Sequence, residues 1–358
     1  MQLDADDLYF LYFSQIKKIG IQNLVAIKSL FSNFKNAISA PVEEFTPIIA
    51  DNNVLLEIGN LLRNREKISV EVGQKFSYLE KNGISFVPIY SDKFPYVLSQ
   101  IGNPPPYLFI KGELPLERLE KSVAIVGTRN PSFYGHRKAR EIARDLAEQG
   151  YIIVSGLAKG TDLEAHLGAL EGNGTTIAVL GSGVDKIYPE ENREIADDIL
   201  AFNGAIISEY DVGQVVKKYT LIQRNRIISG LASISLIIEG DLNSGTSHEI
   251  EFARKQGKQV VVLNPAQENR KISELPLKLR SEGFPAIDTA NDLLIQFSDQ
   301  NAFSKTALNY KESIQSNPKI SPKKGSKDTG KRTNEGQSKG LEQYFNSKKE
   351  ARQESQSQ

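Results

Sequence analysis

The sequence predicts an α/β protein: a doubly wound, mostly parallel sheet, preceded by a small helical domain and followed by a disordered basic tail. Three observations predict it. Between residues 121 and 265, short apolar and mostly β-branched runs alternate with helix-period stretches, the rhythm of a parallel sheet covered on both faces. Residues 7 to about 75 carry apolar positions such as Leu24, Ile27, Leu30 and Phe31 at helical spacing. Beyond about residue 300 apolar content collapses and Lys, Ser, Gln, Asn and Gly take over, too little to fold alone.

In chain order, the helical region contains Ile19-Gly-Ile-Gln-Asn-Leu24 between two helical patterns. That stretch suits the turn of a helix-hairpin-helix (or SAM-like) domain, whose amides can hold a DNA phosphate, or an ordinary αα-hairpin turn. Residues 76–120 read as a connector rich in turn formers, in which Ser85-Phe-Val-Pro-Ile and Leu108-Phe-Ile are expected as edge strands. The expected strands of the sheet are 123–126, 151–154, 176–180, 205–208, 234–238 and 259–263. After the first of these, Ala139, Ile142, Ala143, Leu146 and Ala147 form one apolar helical stripe, with Gly150 as its C-terminal stop. The next helix opens on Thr161-Asp-Leu-Glu164, a capping-box pattern.

At 358 residues the chain accommodates two or three domains. Forty-four basic residues balance forty-four acidic ones, so global charge advertises no polyanionic partner. The balance is local: residues 301–358 hold twelve Lys or Arg against six Asp or Glu. The absence of cysteine excludes disulfides, thiolate metal sites and a cysteine nucleophile. Three histidines, His136, His166 and His248, leave little for a metal centre, and no cofactor is expected. The N-terminus lacks a basic signal region and no apolar run approaches a membrane span, so a cytoplasmic protein is expected.

Ligands of an open parallel sheet bind at the carboxyl ends of its strands. Here those ends read Gly127-Thr-Arg129, Ser155-Gly-Leu-Ala-Lys159-Gly, Gly181-Ser-Gly183, Ser208-Glu-Tyr210, Glu239-Gly240 and Asn264-Pro265. Glycine admits close backbone approach, helix-start amides bind phosphate oxygens, and Arg129 with Lys159 supplies cations on adjacent loops. The loops match neither the GxGxxG dinucleotide fingerprint nor a Walker A loop. Further on, Arg224 and Arg226 stand at i, i+2 and so serve two different partners, one within the fold and one toward a ligand.

Ala124-Ile-Val-Gly-Thr-Arg, Val154-Ser-Gly-Leu-Ala-Lys-Gly-Thr-Asp-Leu-Glu-Ala-His166, Ala178 through Arg193, Ser208-Glu-Tyr and Arg224-Asn-Arg-Ile-Ile-Ser-Gly-Leu231 together resemble the DprA/Smf DNA-processing family, in the family's order and approximate spacing. The resemblance implies a Rossmann-like domain over 121–300 behind a helical domain at 1–75. It also implies single-stranded DNA binding without sequence preference, protection of incoming DNA, and its handover to the RecA recombinase in natural transformation. A homodimer is implied too. By position, the implied DNA-binding residues are Gly127, Thr128 and Arg129; Ser155, Gly156 and Lys159; Asn192 and Arg193; and Arg224, Asn225 and Arg226. Lys159 stands where many members carry arginine, which keeps the charge and loses the bidentate fork.

Three departures accompany the resemblance. Leu221-Ile-Gln replaces the family's Phe-Pro ahead of Arg224, and Ser244-Gly-Thr-Ser-His-Glu249 replaces Ser-Gly-Ser-Leu-x-Thr-Ala. The winged-helix module of many members has no counterpart in the basic tail at 301–358. The second departure opens an enzyme alternative: Gly245, Thr246 and Glu249 resemble the phosphate cradle and glutamate of nucleotide phosphoribohydrolases. A Rossmann-like nucleotide-signal sensor would use the same rim. Phe133 and Tyr134 are candidates for base stacking or for a plug over the helix start. In the tail, Leu341, Tyr344 and Phe345 have the anchor spacing of a sliding-clamp docking motif, against the plainer reading of an unpartnered cluster.

Overall fold

The structure, a computed structural model, describes residues 4–242, 244–266 and 271–298. The expected basic tail and its Leu341, Tyr344 and Phe345 motif lie outside the described residues. Within them the chain divides after Phe76 into two compact units.

The first unit is helical, with helices at Leu8–Ser14, Ile21–Phe31, Phe34–Ser39 and Asn52–Arg63. Its core is aromatic because Phe10, Phe13, Phe34 and Phe45 fall on the inward faces of short helices and are fully buried. Phe10 meets Phe34 edge-on at 5.0 Å between centroids, and Phe31 tilts against Phe45 at 4.6 Å. The Ile19–Leu24 stretch is the entry to the second helix, with extended Gly20 as its N-cap.

The larger unit carries strands β1 (Ile84–Pro88), β2 (Tyr107–Gly112), β3 (Ser122–Val126), β4 (Ile152–Ser155), β5 (Thr176–Val179), β6 (Ala205–Ser208), β7 (Ile234–Ile237), β8 (Gln259–Leu263) and β9 (Ala286–Ile287). Among the described residues these form one nine-stranded sheet in the order β1-β2-β6-β5-β4-β3-β7-β8-β9. Pairing is parallel from β6 to β9 in that order and antiparallel where β2 meets β1 and β6. The two runs expected as edge strands therefore differ: β1 is an edge, but β2 pairs on both sides, Ile110 opposite Ser85 and Ile207. Hydrogen bonds from β6 recruit the connector into the sheet.

The strands are buried along their whole lengths in β3 to β7, as the continuous apolar runs require. Side-chain alternation assigns the covering helices to the two faces. Val123, Ile125, Ile153, Leu236 and Val261 pack with Ala139, Ile142 and Leu146 of the Phe133–Glu148 helix. On the opposite face, Ser235 hydrogen bonds to Glu249 of the Gly245–Lys255 helix at 3.4 Å. Gly150, at φ 80°, follows the C-cap Gln149 and turns the chain out of the Phe133–Glu148 helix.

The capping box expected at Thr161 does not form. Gly160, at φ 75°, is the N-cap of the Thr161–Glu171 helix, and the Thr161 hydroxyl donates to the Thr128 carbonyl at 3.1 Å. The hydroxyl serves the neighbouring loop instead of its own helix.

Candidate nucleic-acid interface

β3 has β4 on one side and β7 on the other, and the chain crosses from β6 back to β7 through the Lys218–Leu231 helix. This reversal of strand order opens a crevice at the carboxyl ends. The loops there are bound backbone to backbone: Thr128 N donates to Glu239 O at 2.8 Å, and Thr161 N to Thr128 O at 3.2 Å. A Cβ on Gly127 would collide with the Thr161 hydroxyl at 2.6 Å, and one on Gly160 with the Arg129 carbonyl at 2.5 Å. The glycines of the two motifs thus let three strand ends converge.

A cavity of roughly 740 Å³ opens at this point, a volume suited to about one or two nucleotides. One wall is Gly127, Thr128 and Arg129, another is Gly245, Thr246 and Glu249, and the Lys217, Lys218 and Asn225 segment closes the third side. Arg129 is exposed on the rim and makes no hydrogen bond or ion pair with another described residue. The aromatic ring of Tyr188, 47% exposed, also lines the opening.

Arg224 forms the inner end. Its Nη1 donates to Gly156 O at 2.6 Å and to Val179 O, so the guanidinium ties the ends of β4 and β5 together. Burial draws Arg224 below its usual range, with Asp162 and Glu249 opposing that shift. The same burial raises the Asp162 carboxyl, against the pull of Arg224. It raises the Glu249 carboxyl well above the ordinary carboxylate range, so Glu249 is neutral while Arg224 keeps its proton. Glu249 is 1% exposed, and its Oε2 has no hydrogen-bond partner among the described residues.

His166 lies deeper and faces no ligand. Thr176 Oγ1 donates to Ile153 O, so it accepts from His166 Nδ1 at 2.7 Å, and burial pushes the imidazole down to about 3. This is a neutral packing histidine.

Several residues implied by the resemblance stand inside the fold. Ser155 Oγ donates to Ile125 O at 2.7 Å, and Asn192 Nδ2 donates to Leu157 O at 2.9 Å, both side chains buried. Gly156 lies under Arg224, where any Cβ would strike the guanidinium. Arg226 holds Glu209 through two bonds of 2.5 Å and donates to Asn103 O at 3.0 Å. Arg224 and Arg226 do serve different partners, yet both are bonded within the fold, and only Arg224 reaches the cavity wall. Their polarity suits a buried helix because strand-end carbonyls and a carboxylate satisfy every fork.

Lys159 and Arg193 are exposed but paired, with Glu191 at 2.8 Å and Glu190 at 2.6 Å, and neither lines the cavity. Glu239 occupies the start of the Phe133–Glu148 helix, accepting from Ser132 N at 2.8 Å and Ser132 Oγ at 2.6 Å. A carboxylate of the fold, rather than a ligand phosphate, fills that anion site. Phe133 is 85% exposed, whereas the Tyr134 hydroxyl donates to Asn264 O at 3.0 Å and its ring packs on the core. The pair splits between a free aromatic and a plug. Lys217 and Lys218 escaped the strand-end reading because they belong to a helix start, although Lys217-Lys-Tyr219 is itself a basic and aromatic run.

Residues 85–298 match the family model of DNA recombination-mediator protein A. The chain belongs to this family. It is 34% identical over 221 residues to the DNA processing protein DprA of Bacillus subtilis, covering 62% of this chain and 74% of the relative. Protein Smf of Synechocystis is 33% identical over 298 residues, covering 81% and 72%. An X-ray structure of DprA from Streptococcus pneumoniae superposes with a TM-score of 0.63 at 27% identity, covering 82% of this chain and 98% of that one. A structure of DNA processing protein A from Helicobacter pylori, concerned with its single-stranded DNA binding mode, gives 0.54 at 30% identity, covering 61% and 96%. The match to the family begins at β1, which agrees with β1 and β2 being part of the sheet.

Proposed function

We propose that this member of the family is a DNA-processing protein of natural transformation that binds single-stranded DNA without sequence preference. On this reading it shields the strand and passes it to the RecA recombinase, working in the cytoplasm as a homodimer. The observation that carries the reading is Arg129, an exposed guanidinium on the rim of a nucleotide-sized cavity that Lys217 and Lys218 also line. Three cations around one opening suit a phosphate backbone, and Tyr188 offers a face on which a base can stack. The family's description as a recombination mediator and the single-stranded DNA binding of the Helicobacter pylori relative support the same choice.

Within this reading the implied site divides by role. Arg129, Thr128, Gly127 and Asn225 meet the strand, together with Lys217 and Lys218. Lys159 and Arg193 can exchange Glu191 and Glu190 for phosphate because exposed pairs are weakly held in water. Ser155, Gly156, Asn192, Arg224 and Arg226 shape the wall as positioning residues.

Titration with single- and double-stranded DNA of the same sequence at two salt concentrations tests the proposal. Preferential single-strand binding that weakens with salt is expected, and equal or salt-independent binding would refute it. The protein is read as a binding protein rather than an enzyme. Base release from a nucleoside monophosphate, abolished by Glu249→Ala, would establish the phosphoribohydrolase alternative instead.

Among the described residues no helix is long and apolar enough to cross a membrane.

A further inference from the structure

The wall formed by the Gly245–Lys255 helix differs from the rest of the cavity. Ser244, its N-cap, makes no side-chain cap, and the amides of Gly245 and Thr246 have no acceptor among the described residues. One turn on, Glu249 lies on the same helix face, lines the same cavity, and leaves Oε2 unpartnered although buried. A buried polar atom without a partner is rare in a folded protein and points to a missing ligand atom. This is also the segment in which the chain departs from the Ser-Gly-Ser-Leu-x-Thr-Ala pattern of its family.

We propose that this wall is a subsite for a terminal nucleotide phosphomonoester, with the phosphate seated on the Gly245 and Thr246 amides and Glu249 hydrogen bonded to the same ligand. The donor count favours a monoester over the internal diester of a strand. Two amides, the Thr246 hydroxyl and a neutral Glu249 carboxyl offer four donors, and Arg129, Lys217 and Lys218 line the same cavity. A dianion with three terminal oxygens accepts from that many groups, whereas a diester offers two terminal oxygens and one charge. The neutral state of Glu249 suits this role, since an ionised carboxylate there would repel the phosphate. The ligand is either a free nucleoside 5′-monophosphate or the 5′-phosphorylated end of a strand.

The subsite rests on the same cavity as the proposed strand binding, and the test separates the two. Calorimetric titration of the full chain uses adenosine 5′-monophosphate, adenosine, and one short oligonucleotide carrying either a 5′-phosphate or a 5′-hydroxyl. Gly245 is the first helical residue behind an extended Ser244, a position where proline is accommodated, so Gly245→Pro removes one amide and keeps the helix. A thermal melt confirms folding. The expected result is binding of the monophosphate over adenosine, or of the phosphorylated strand over the hydroxyl one, weakened about tenfold by Gly245→Pro. Glu249→Ala weakens it likewise, and Glu249→Gln recovers most of the loss because an amide restores a donor. A preference for the monophosphate assigns the site to free nucleotides, and one confined to the strand assigns it to strand ends. If the hydroxyl oligonucleotide binds but neither phosphomonoester gains, the subsite is wrong and strand binding stands. Monophosphate binding untouched by Gly245→Pro and by Glu249→Ala equally overturns it, and failure of every probe overturns both readings.

Discussion

Arg224 lies directly against Gly156, its Nη1 donating to the Gly156 carbonyl at 2.6 Å in the space that any side chain at 156 would fill. Through this contact the second glycine motif and the Arg-Asn-Arg element, 68 residues apart, form one wall. Gly156→Ala is therefore expected to displace the guanidinium and destabilise the fold by about 1–3 kcal/mol. Urea unfolding measures it, and wild-type stability would show that the guanidinium relocates freely.

Arg226 and Glu209 form a buried pair with side chains 7% and 13% exposed. Removing one partner strands the other charge, so Arg226→Ala is expected to cost about 3–5 kcal/mol of stability. In whatever fraction remains folded, the salt dependence of DNA binding should be that of the wild type, because Arg226 is outside the cavity. A flatter salt slope would return Arg226 to the DNA-contacting residues.

Glu249 makes stability depend on pH in a defined direction. Its folded value lies well above the ordinary 4.5, so above that pH the unfolded chain releases a proton that the folded chain retains. The folded state then binds more protons, and stability falls as pH rises from 4.5 toward the folded value, by at most about 1.4 kcal/mol per pH unit. Glu249→Gln should remove this slope and be more stable than the wild type near neutrality. Urea midpoints of both proteins across pH 5 to 8, a range of about three units, report the difference, which also cancels the opposite acid sensitivity of His166. Parallel curves would mean that Glu249 is ionised in the fold.

Much of this was legible in the chain. β3 to β8 announce themselves because each is covered on both faces and so needs a continuous β-branched run, and the glycines at 127, 156 and 160 mark close backbone approach. β2 was placed on an edge because its pairing with β6 joins segments nearly a hundred residues apart, which no local pattern encodes. Thr161 reads as a cap because a capping box is a local pattern, whereas its hydroxyl is claimed by Thr128 from another strand. The cations were counted correctly and sorted imperfectly. Charge type is visible in a sequence, but whether Arg224 meets solvent or two carbonyls, or whether Lys159 finds Glu191, depends on the tertiary neighbours.

Phe133 offers a test of base stacking apart from charge. At 85% exposure it contributes little to the core, so Phe133→Ala should leave the melting temperature within error. If bases stack on it, single-strand affinity falls by about 1–3 kcal/mol with an unchanged salt slope. Unchanged affinity would leave Tyr188 as the aromatic contact to examine.

The most direct test of the central claim is the salt dependence of single-stranded DNA binding by the wild type and Arg129→Ala. Arg129 lines the cavity and forms no ion pair with a described residue, so its loss should leave stability unchanged. Binding should weaken for every sequence, and the slope of log affinity against log salt should fall by about 0.7, the value for one released counterion on a single strand. An Arg129→Ala protein that binds single strands with wild-type affinity and slope would contradict the assignment of this cavity to DNA.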